Sequence, residues 1–397
     1  MMVLLSAVPA YPQRPAPVGG IAYQFSGLGL YEHMDSEPFA RRHIGLITNQ
    51  TGIDDSGHRT IDVFAGRHGV KLVAIFSPEH GIDGRADAAI GNSKDPKTGV
   101  RIYSLYGETR RPTDEMLAGI DTLVFDIQDA GVRFYTYVTT MAYCMEAAAK
   151  HHIRFVVFDR PNPLGGRVVE GPILDADRTS FTGYFPMPLR YGMTIGELAQ
   201  MFNVENKIGA DLHVFRMMKW RRGDTYDQTG LQWIPPSPNL RTLNEAFLYP
   251  GIEILQAAGV SVGRGTDAPF ELVGAPWIHG ADLAAELERR KIPGVSFAPA
   301  KFTPADGPWN GRLCEGVRIF LSDRDTLRAM RLGLEMADSL YRMYPANFDM
   351  EKTIELLGSK TTLDRLKRHE APADIIDGWS SDLARFSVIR EKYLLYQ

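Results

Sequence analysis

Leu72-Val73-Ala74-Ile75-Phe76 runs without a break into Ser77-Pro78-Glu79-His80-Gly81. Five apolar residues, two of them β-branched, read as a buried strand, and Pro, Gly and two ionisable side chains stop it at once. Three other stretches share this design. His43–Thr48 enters Asn49-Gln50-Thr51-Gly52, Thr122–Phe125 enters Asp126-Ile127-Gln128-Asp129-Ala130-Gly131, and Phe155–Phe158 enters Asp159-Arg160-Pro161-Asn162-Pro163. The segments between them read as helices, so the four runs are expected to be parallel strands of a doubly wound α/β sheet. Such strands all end on one edge, where open α/β sheets bind ligands, and the four polar tails are expected to meet in one cleft.

The helices that connect them carry their own signals. Arg59–His68 with Gly69 behind it reads as a short helix with a glycine stop, and Tyr137–His151 is Ala-rich with Lys150, His151 and His152 at its end. Thr194 followed by Glu197 is a capping box that opens a helix to about Asn203. Beyond Leu212 the texture changes: Trp220–Asn239 is a long Pro-dotted loop containing Trp233-Ile234-Pro235-Pro236-Ser237-Pro238-Asn239. A helix at Ala281–Lys291, extended chain at Val295–Phe302, a strand at Val317–Leu321 and a periodic helix from Thr326 to Tyr344 follow. The expected organisation is an extension at 1–40, a parallel-sheet domain at 41–205 and a smaller α/β domain at 206–397.

Composition narrows the chemistry. The 397 residues are 44% hydrophobic and 23% charged with a formal net charge of −4, so there is no basic excess to hold nucleic acid. Two cysteines, Cys144 and Cys314, make neither a disulfide framework nor a Cys-based zinc site, and Cys144 reads as a core residue. No 18-residue apolar run marks a membrane span. Residues Met1–Ala10 resemble the end of a secretory signal without its basic region. A nucleotide site is disfavoured. The turn after the first strand holds one Gly where a dinucleotide fingerprint needs three small residues, and Gly263–Ala268, the one formal match, runs into Pro269. His80 with Asp83 and Asp87, or with Asp126, could form a metal shell, but no compact ligand spacing supports one, and no cofactor is expected.

The strand tails are rich in carboxylates. Glu79, on a turn beside His80 and Arg85, feels burial and basic neighbours in opposition, which suits acid–base work. Asp126 and Asp129 lie three apart next to Arg133, so either catalysis or a loop-fixing Asp–Arg pair accounts for them. Glu170 follows the fourth strand. Tyr135 and Tyr137 lie two apart and face one way if the segment is extended. Together with the amides of Asn49, Gln50, Asn162 and Asn239 they suit a polyhydroxylated ligand such as a sugar. Two carboxyl groups are what glycoside hydrolysis asks for.

The segments SPEHGIDG (77–84), LVFDIQDAGVRFYTYVTTM (123–141), DRPNPLGG (159–166), VEGP (169–172), WIPPSPN (233–239), YPG (249–251), VSVGRGTDAPFELVGAPWI (260–278) and IREKYLLY (389–396) resemble those of the NamZ-type exo-β-N-acetylmuramidases, a YbbC-like family long known only as a domain of unknown function. The resemblance covers residues 41–397. It implies a Rossmann-like N-terminal domain, a smaller C-terminal α/β domain, an active site between them, and release of N-acetylmuramic acid from non-reducing ends of peptidoglycan fragments without metal or nucleotide. By position it makes Glu79 the general acid and Asp126, then Glu170, the second carboxylate. Asn49, His80, Asp129, Arg133, Tyr135 and Asn162 would shape the sugar site from the first domain. Asn239 and Arg264 would reach it from the second, Arg264 toward the lactyl carboxylate. The stretch Gln256–Val260 departs from the Glu-Gly-Thr-Asn of many members, which bears on the preferred substrate. A peptidoglycan substrate implies a periplasmic or extracellular protein. The alternatives are a non-catalytic cell-wall carbohydrate-binding protein and, less favoured without a G-x-S-x-G elbow, a hydrolase of another bond.

Overall fold

The computed structural model describes residues 26–32, 34, 38–86 and 90–397. Among the described residues twelve strands and eleven α-helices follow one another in two parts. In the first part these are α1 (Gly27–Glu32), β1 (His43–Thr48), α2 (Thr60–Gly66), β2 (Lys71–Ser77), β3 (Ser93–Lys94), β4 (Arg101–Ser104), β5 (Thr122–Asp126), α3 (Tyr137–Lys150) and β6 (Arg154–Phe158). They continue with β7 (Glu170–Ile173), β8 (Pro188–Arg190), α4 (Ile195–Glu205) and β9 (Leu212–Phe215).

The four apolar runs of the sequence are β1, β2, β5 and β6, and all of them pair in parallel. The seven-stranded sheet has the order β3-β4-β2-β1-β5-β6-β9, with only the short edge strand β3 antiparallel. From β1 the chain moves outward through β2 to β4, then returns to the other side of β1 at β5, so the switch point lies between the ends of β1 and β5. Side chains alternate between two cores. Leu123, Phe125, Phe155 and Val157 face α3 and α4, while Ile44, Leu46, Val124, Val156 and Phe158 face α1 and α2. Burial on both faces explains why these strands read as continuous apolar runs.

The expected boundaries need two corrections. The extension was placed at 1–40, yet Gly27–Glu32 is helical and packs on the sheet: Leu28 and Tyr31 are buried, Tyr31 stacks on Phe64 and Phe158, and Gly27 N–H reaches Asp159 O at 2.8 Å. Residues 1–25, including the signal-like start, lie outside the described residues, as does Asp87. The domain change expected at 205/206 also falls too early, because β9 pairs with β6 and completes the first sheet.

The second part is built from α5 (Leu243–Ile252), β10 (Leu272–Ala275), α6 (Gly280–Arg289), β11 (Val295–Phe302), β12 (Cys314–Leu321) and α7 (Ala329–Met343), then α8 (Ile354–Leu357), α9 (Lys360–Lys367), α10 (Pro372–Asp377) and α11 (Ser380–Glu391). Its sheet is antiparallel in the order β10-β12-β11. Helices α5 and α7 approach closely at Gly251 and Gly333, where a Cβ on Gly251 would stand 1.9 Å from Ala329 O. One continuous apolar core runs through both parts.

The chain end returns to the first sheet. Tyr396 Oη donates to Asp159 Oδ2 at 2.5 Å, Leu395 N–H to Glu197 Oε1 at 2.8 Å, and Arg222 Nη2 to Tyr396 O at 3.1 Å. Glu197 is at once the closing residue of the Thr194 capping box on α4 and the ion-pair partner of Arg222, so the tail locks onto a helix start.

Candidate active site

The site is built on the turn after β2. His80 and Gly81 both take left-handed backbone angles, φ 68° and 73°, so the chain reverses immediately past Glu79. His80 is buried and its Nδ1 lies 2.8 Å from Ala86 O, which closes the 80–86 loop. Glu79 is half-buried. Its Oε2 accepts the Thr136 hydroxyl at the start of α3.

Asp129 comes from the turn after β5. Gly131 N–H donates to its Oδ2 at 2.7 Å and the Tyr191 hydroxyl donates to the same oxygen, whereas Oδ1 has no partner and is buried. Burial pushes this carboxyl up to about 6 against the Tyr191 hydroxyl and the N–H groups of Gly131 and Ala130. Gly131 has φ 79°, and a Cβ there would meet Asn162 Oδ1 at 2.4 Å, so the turn that presents Asp129 requires glycine.

Tyrosines lie beside both carboxyl-bearing turns. The segment 135–137 is not extended, since Tyr137 opens α3, but the rings of Tyr135 and Tyr137 still meet at 4.7 Å, edge to face. The Tyr137 hydroxyl takes Asn49 Nδ2 at 3.0 Å and donates to Pro236 O at 2.7 Å. Gln50 Nε2 reaches Pro235 O at 2.8 Å. The Pro-rich loop is thereby fastened to the tail of β1, with Asn239 buried at its end.

From the second part, α5 supplies Tyr249, whose ring lies 6.1 Å from Tyr135, 5.1 Å from Phe134 and 4.9 Å from Phe270. Burial holds its phenol protonated, and the charges of Glu253, Arg264, Glu79 and Asp129 all act on it. Arg264 Nη2 pairs with Glu253 Oε1 at 2.6 Å, and its guanidinium lies 5.6 Å from the Phe270 ring centroid.

Other residues expected at the site have partners within the protein. Asp126 is fully buried, paired with Arg160 Nε at 2.6 Å and bonded by the Thr60 hydroxyl. Glu170 pairs with Arg190 at 3.1 Å, both side chains being at most 10% exposed. Arg133 pairs with neither aspartate: its guanidinium donates to the carbonyls of Pro172, Met187, Leu356 and Leu357 at 2.9–3.1 Å, tying the β7–β8 hairpin to α8. The Asn162 amide is spent on Met193 O and Leu164 N–H. Glu79 and Asp129 come from the tails of β2 and β5, while the polar side chains in the tails of β1 and β6 bond to the rest of the protein. Among the described residues no three His, Cys, Asp or Glu side chains converge as a metal site.

A reading of the sequence without neighbours in space missed Thr136, Tyr191, Tyr249 and Glu253. Thr136 and Tyr249 had a visible flag, standing in the 123–141 and YPG segments.

Two family models match the chain, described as the N-terminal part of exo-β-N-acetylmuramidase NamZ at residues 44–244 and the C-terminal part at 247–396. This chain belongs to the NamZ family. The family division near residue 245 agrees with a first domain that includes β9 and the Pro-rich loop. The chain is 44% identical to the peptidoglycan β-N-acetylmuramidase NamZ of Bacillus subtilis strain 168 over 360 residues, 89% of this chain and 87% of that one. Crystal structures of two DUF1343 family proteins from Bacteroides fragilis share the NamZ fold seen here. One has a TM-score of 0.87 at 36% identity and the other 0.78 at 31%, each alignment covering 94% of this chain and 99% of theirs.

Proposed function

We propose that this chain is an exo-acting β-N-acetylmuramidase that removes N-acetylmuramic acid from the non-reducing ends of peptidoglycan fragments, with Glu79 as general acid. One observation carries the reading. Glu79 follows β2 and Asp129 follows β5, on one edge of the parallel sheet, in a chain 44% identical to a named peptidoglycan β-N-acetylmuramidase.

Glu79 has the attributes of the acid that protonates the departing glycosidic oxygen. It is half-buried, and the Thr136 hydroxyl fixes one oxygen so that the other presents its proton in one direction. The resemblance pointed to Asp126 and then Glu170 as the second carboxylate. Each is closed by a buried arginine, so we assign the second acidic role to Asp129. Tyr135, Tyr137 and Tyr249 offer apolar faces with polar tips to a sugar ring. A guanidinium has five donors in a fixed fork, so Arg264 can serve Glu253 and a lactyl carboxylate together. That contact would separate muramic acid from glucosamine. Gln256, on the turn of helix that begins at Glu253, places the departure from other family members beside this end of the site. Among the described residues no helix is long and apolar enough to cross a membrane, and a peptidoglycan substrate puts the place of work in the periplasm or outside the cell.

The test is turnover of a chromogenic N-acetylmuramic acid glycoside against its N-acetylglucosamine counterpart, with Glu79→Gln as control. Turnover of the first, little of the second, and a loss of at least about 10²-fold in the variant are expected. Binding of muramyl fragments without turnover would establish the carbohydrate-binding alternative.

A further inference from the structure

Asp129 is held by a strand that lies far from it in sequence. The chain just past its turn is fastened to β8 by the bridge between Val132 and Arg190 and by Arg133 N–H, which donates to Leu189 O at 2.8 Å. The residue after β8 is Tyr191, fully buried, and its hydroxyl donates to Asp129 Oδ2 beside Gly131 N–H. Gly131 belongs to the same turn, whereas the tyrosine comes from 62 residues on. A carboxylate oxygen bonded by one local and one distant donor cannot turn away without losing one of two charge-assisted hydrogen bonds. The position of Tyr191 therefore fixes the direction in which Asp129 faces.

Tyr191 is itself anchored from the other end of the chain. The backbone turns at Gly192, φ 60°, where a Cβ would stand 2.9 Å from Val168 O and 3.0 Å from Gly166 O. The Gly192 carbonyl takes N–H groups from two arginines. Arg390 Nη2 and Nε donate to it at 2.6 and 3.3 Å and Arg222 Nη1 at 3.2 Å, while Arg390 Nη2 also reaches Gly166 O. Arg222 is paired with Glu197, and Arg390 stands on α11, in the C-terminal family part and the IREKYLLY segment. Phe386, one turn earlier on the same face, already docks α11 in the apolar core, so the helix does not need a buried arginine to be held. Burying a cation against carbonyls carries a desolvation cost. Here that cost falls at the carbonyl that adjoins Tyr191.

We propose that Arg390 is a positioning residue for Asp129, acting through the Gly192 carbonyl and the Tyr191 hydroxyl, so that the end of the second domain sets the second carboxylate of the first. The proposal rests on the muramidase reading with Asp129 as its second carboxylate. Guanidinium meets carbonyl, the carbonyl adjoins the tyrosine, and the phenol meets the carboxylate, so every connection is a hydrogen bond or a covalent neighbour. The Tyr191 O–H donates to the charged form of Asp129 and favours it. Slackening the Gly192 end withdraws part of that donor and favours the protonated carboxyl. Lysine at 390 keeps the charge but has no fork to hold two carbonyls at once. The Asp129 charge also acts on Tyr135, Tyr137 and Tyr249, which burial holds protonated; Arg222, Glu197 and Glu391 act on Arg390.

The experiment measures kcat and KM against pH on a chromogenic N-acetylmuramic acid glycoside, together with Tm. It compares the unaltered chain with Asp129→Asn, Tyr191→Phe, Arg390→Lys, Arg222→Lys and the double variant Tyr191→Phe/Arg390→Lys. Tyr191→Phe is expected to move the limb at about pH 6 upward by about one pH unit or more, as for loss of a hydrogen bond to a charged group. Arg390→Lys should move it the same way with little change in KM. The double variant should keep the limb of Tyr191→Phe alone, because both changes act on one connection. Arg222→Lys loosens the same carbonyl and should also move the limb upward, which serves where Arg390→Lys does not fold. A lowered Tm with the limb unmoved in each arginine variant that folds would overturn the proposal and leave α11 a structural tether. Shifts that add in the double variant would overturn it too. Cleavage by the unaltered chain without a limb that Asp129→Asn removes would overturn it through Asp129 and leave the muramidase reading intact; no cleavage would remove both.

Discussion

Arg160 Nε stands 2.6 Å from Asp126 Oδ1, and neither side chain is more than 4% exposed. Arg160 also donates to Ile53 O at 2.8 Å, so this pair bridges the tails of β5 and β6 to the loop after β1. The prediction is that Asp126→Asn destabilises by about 3 kcal/mol or more, since it leaves a buried guanidinium without its counter-charge. Chemical denaturation measures this. A well-folded variant with normal stability and abolished turnover would restore Asp126 to the chemistry.

The Thr136 hydroxyl holds Glu79 Oε2. Thr136→Val keeps the shape and removes one hydrogen bond of about 1 kcal/mol, which corresponds to roughly a fivefold loss in kcat. Thr136→Ser should recover most of it. A valine variant with unchanged kcat would show that this contact does not orient the acid.

Arg133 is nearly fully buried, and desolvation pulls its guanidinium down to about 9. Four carbonyls from two domains share its donors. Lysine carries the charge but cannot reproduce the fork, so Arg133→Lys should cost about 1.5–3 kcal/mol and lower Tm. Turnover at low temperature should survive, which distinguishes a tether from a sugar ligand.

Burial pushes Asp129 up to about 6. As the second carboxylate it works as the anion, so kcat should rise through about pH 6 and level off above. Tyr135, Tyr137, Tyr191 and Tyr249 around it are all held protonated by burial and do not titrate in this window; Glu79 is the other carboxyl on the cleft. Asp129→Asn should lose the limb near pH 6. The linkage to folding has a definite sign. The native state holds a proton that the unfolded chain has released, so this group's stabilisation is present at low pH and lost as pH rises through about 6. The asparagine variant should show a flatter stability profile between pH 4 and about 6.

The parallel strands were legible because a strand buried on both faces must be apolar throughout, as Leu123–Phe125 and Phe155–Phe158 are. The sheet edges were not. Leu212–Phe215 is short with an exposed His213, and Ser93–Lys94 is wholly exposed, so neither has a pattern to read. Glu79 stood out because Pro78 and Gly81 bracket it on a turn. Asp126 and Asp129 could not be ranked from sequence. Both lie near Arg133, yet the arginine that closes Asp126 is Arg160, 34 residues away, and the hydroxyl that orients Asp129 is Tyr191, 62 residues away. Local spacing assigns charges to neighbours; only the fold shows which neighbour is in reach.

The return of the chain end to the first sheet has a consequence for synthesis. Arg222 meets Tyr396 O across 174 residues, and Asp159 meets the Tyr396 hydroxyl across 237. A growing chain emerges from the ribosome with its first domain complete in sequence and incomplete in structure, the start of α4 still lacking its last partners. Vectorial folding therefore leaves these contacts of the first domain to be made last. A translation product cut short before Tyr396 would carry an unsealed Asp159 and Glu197 and should be cleared by proteases as a unit.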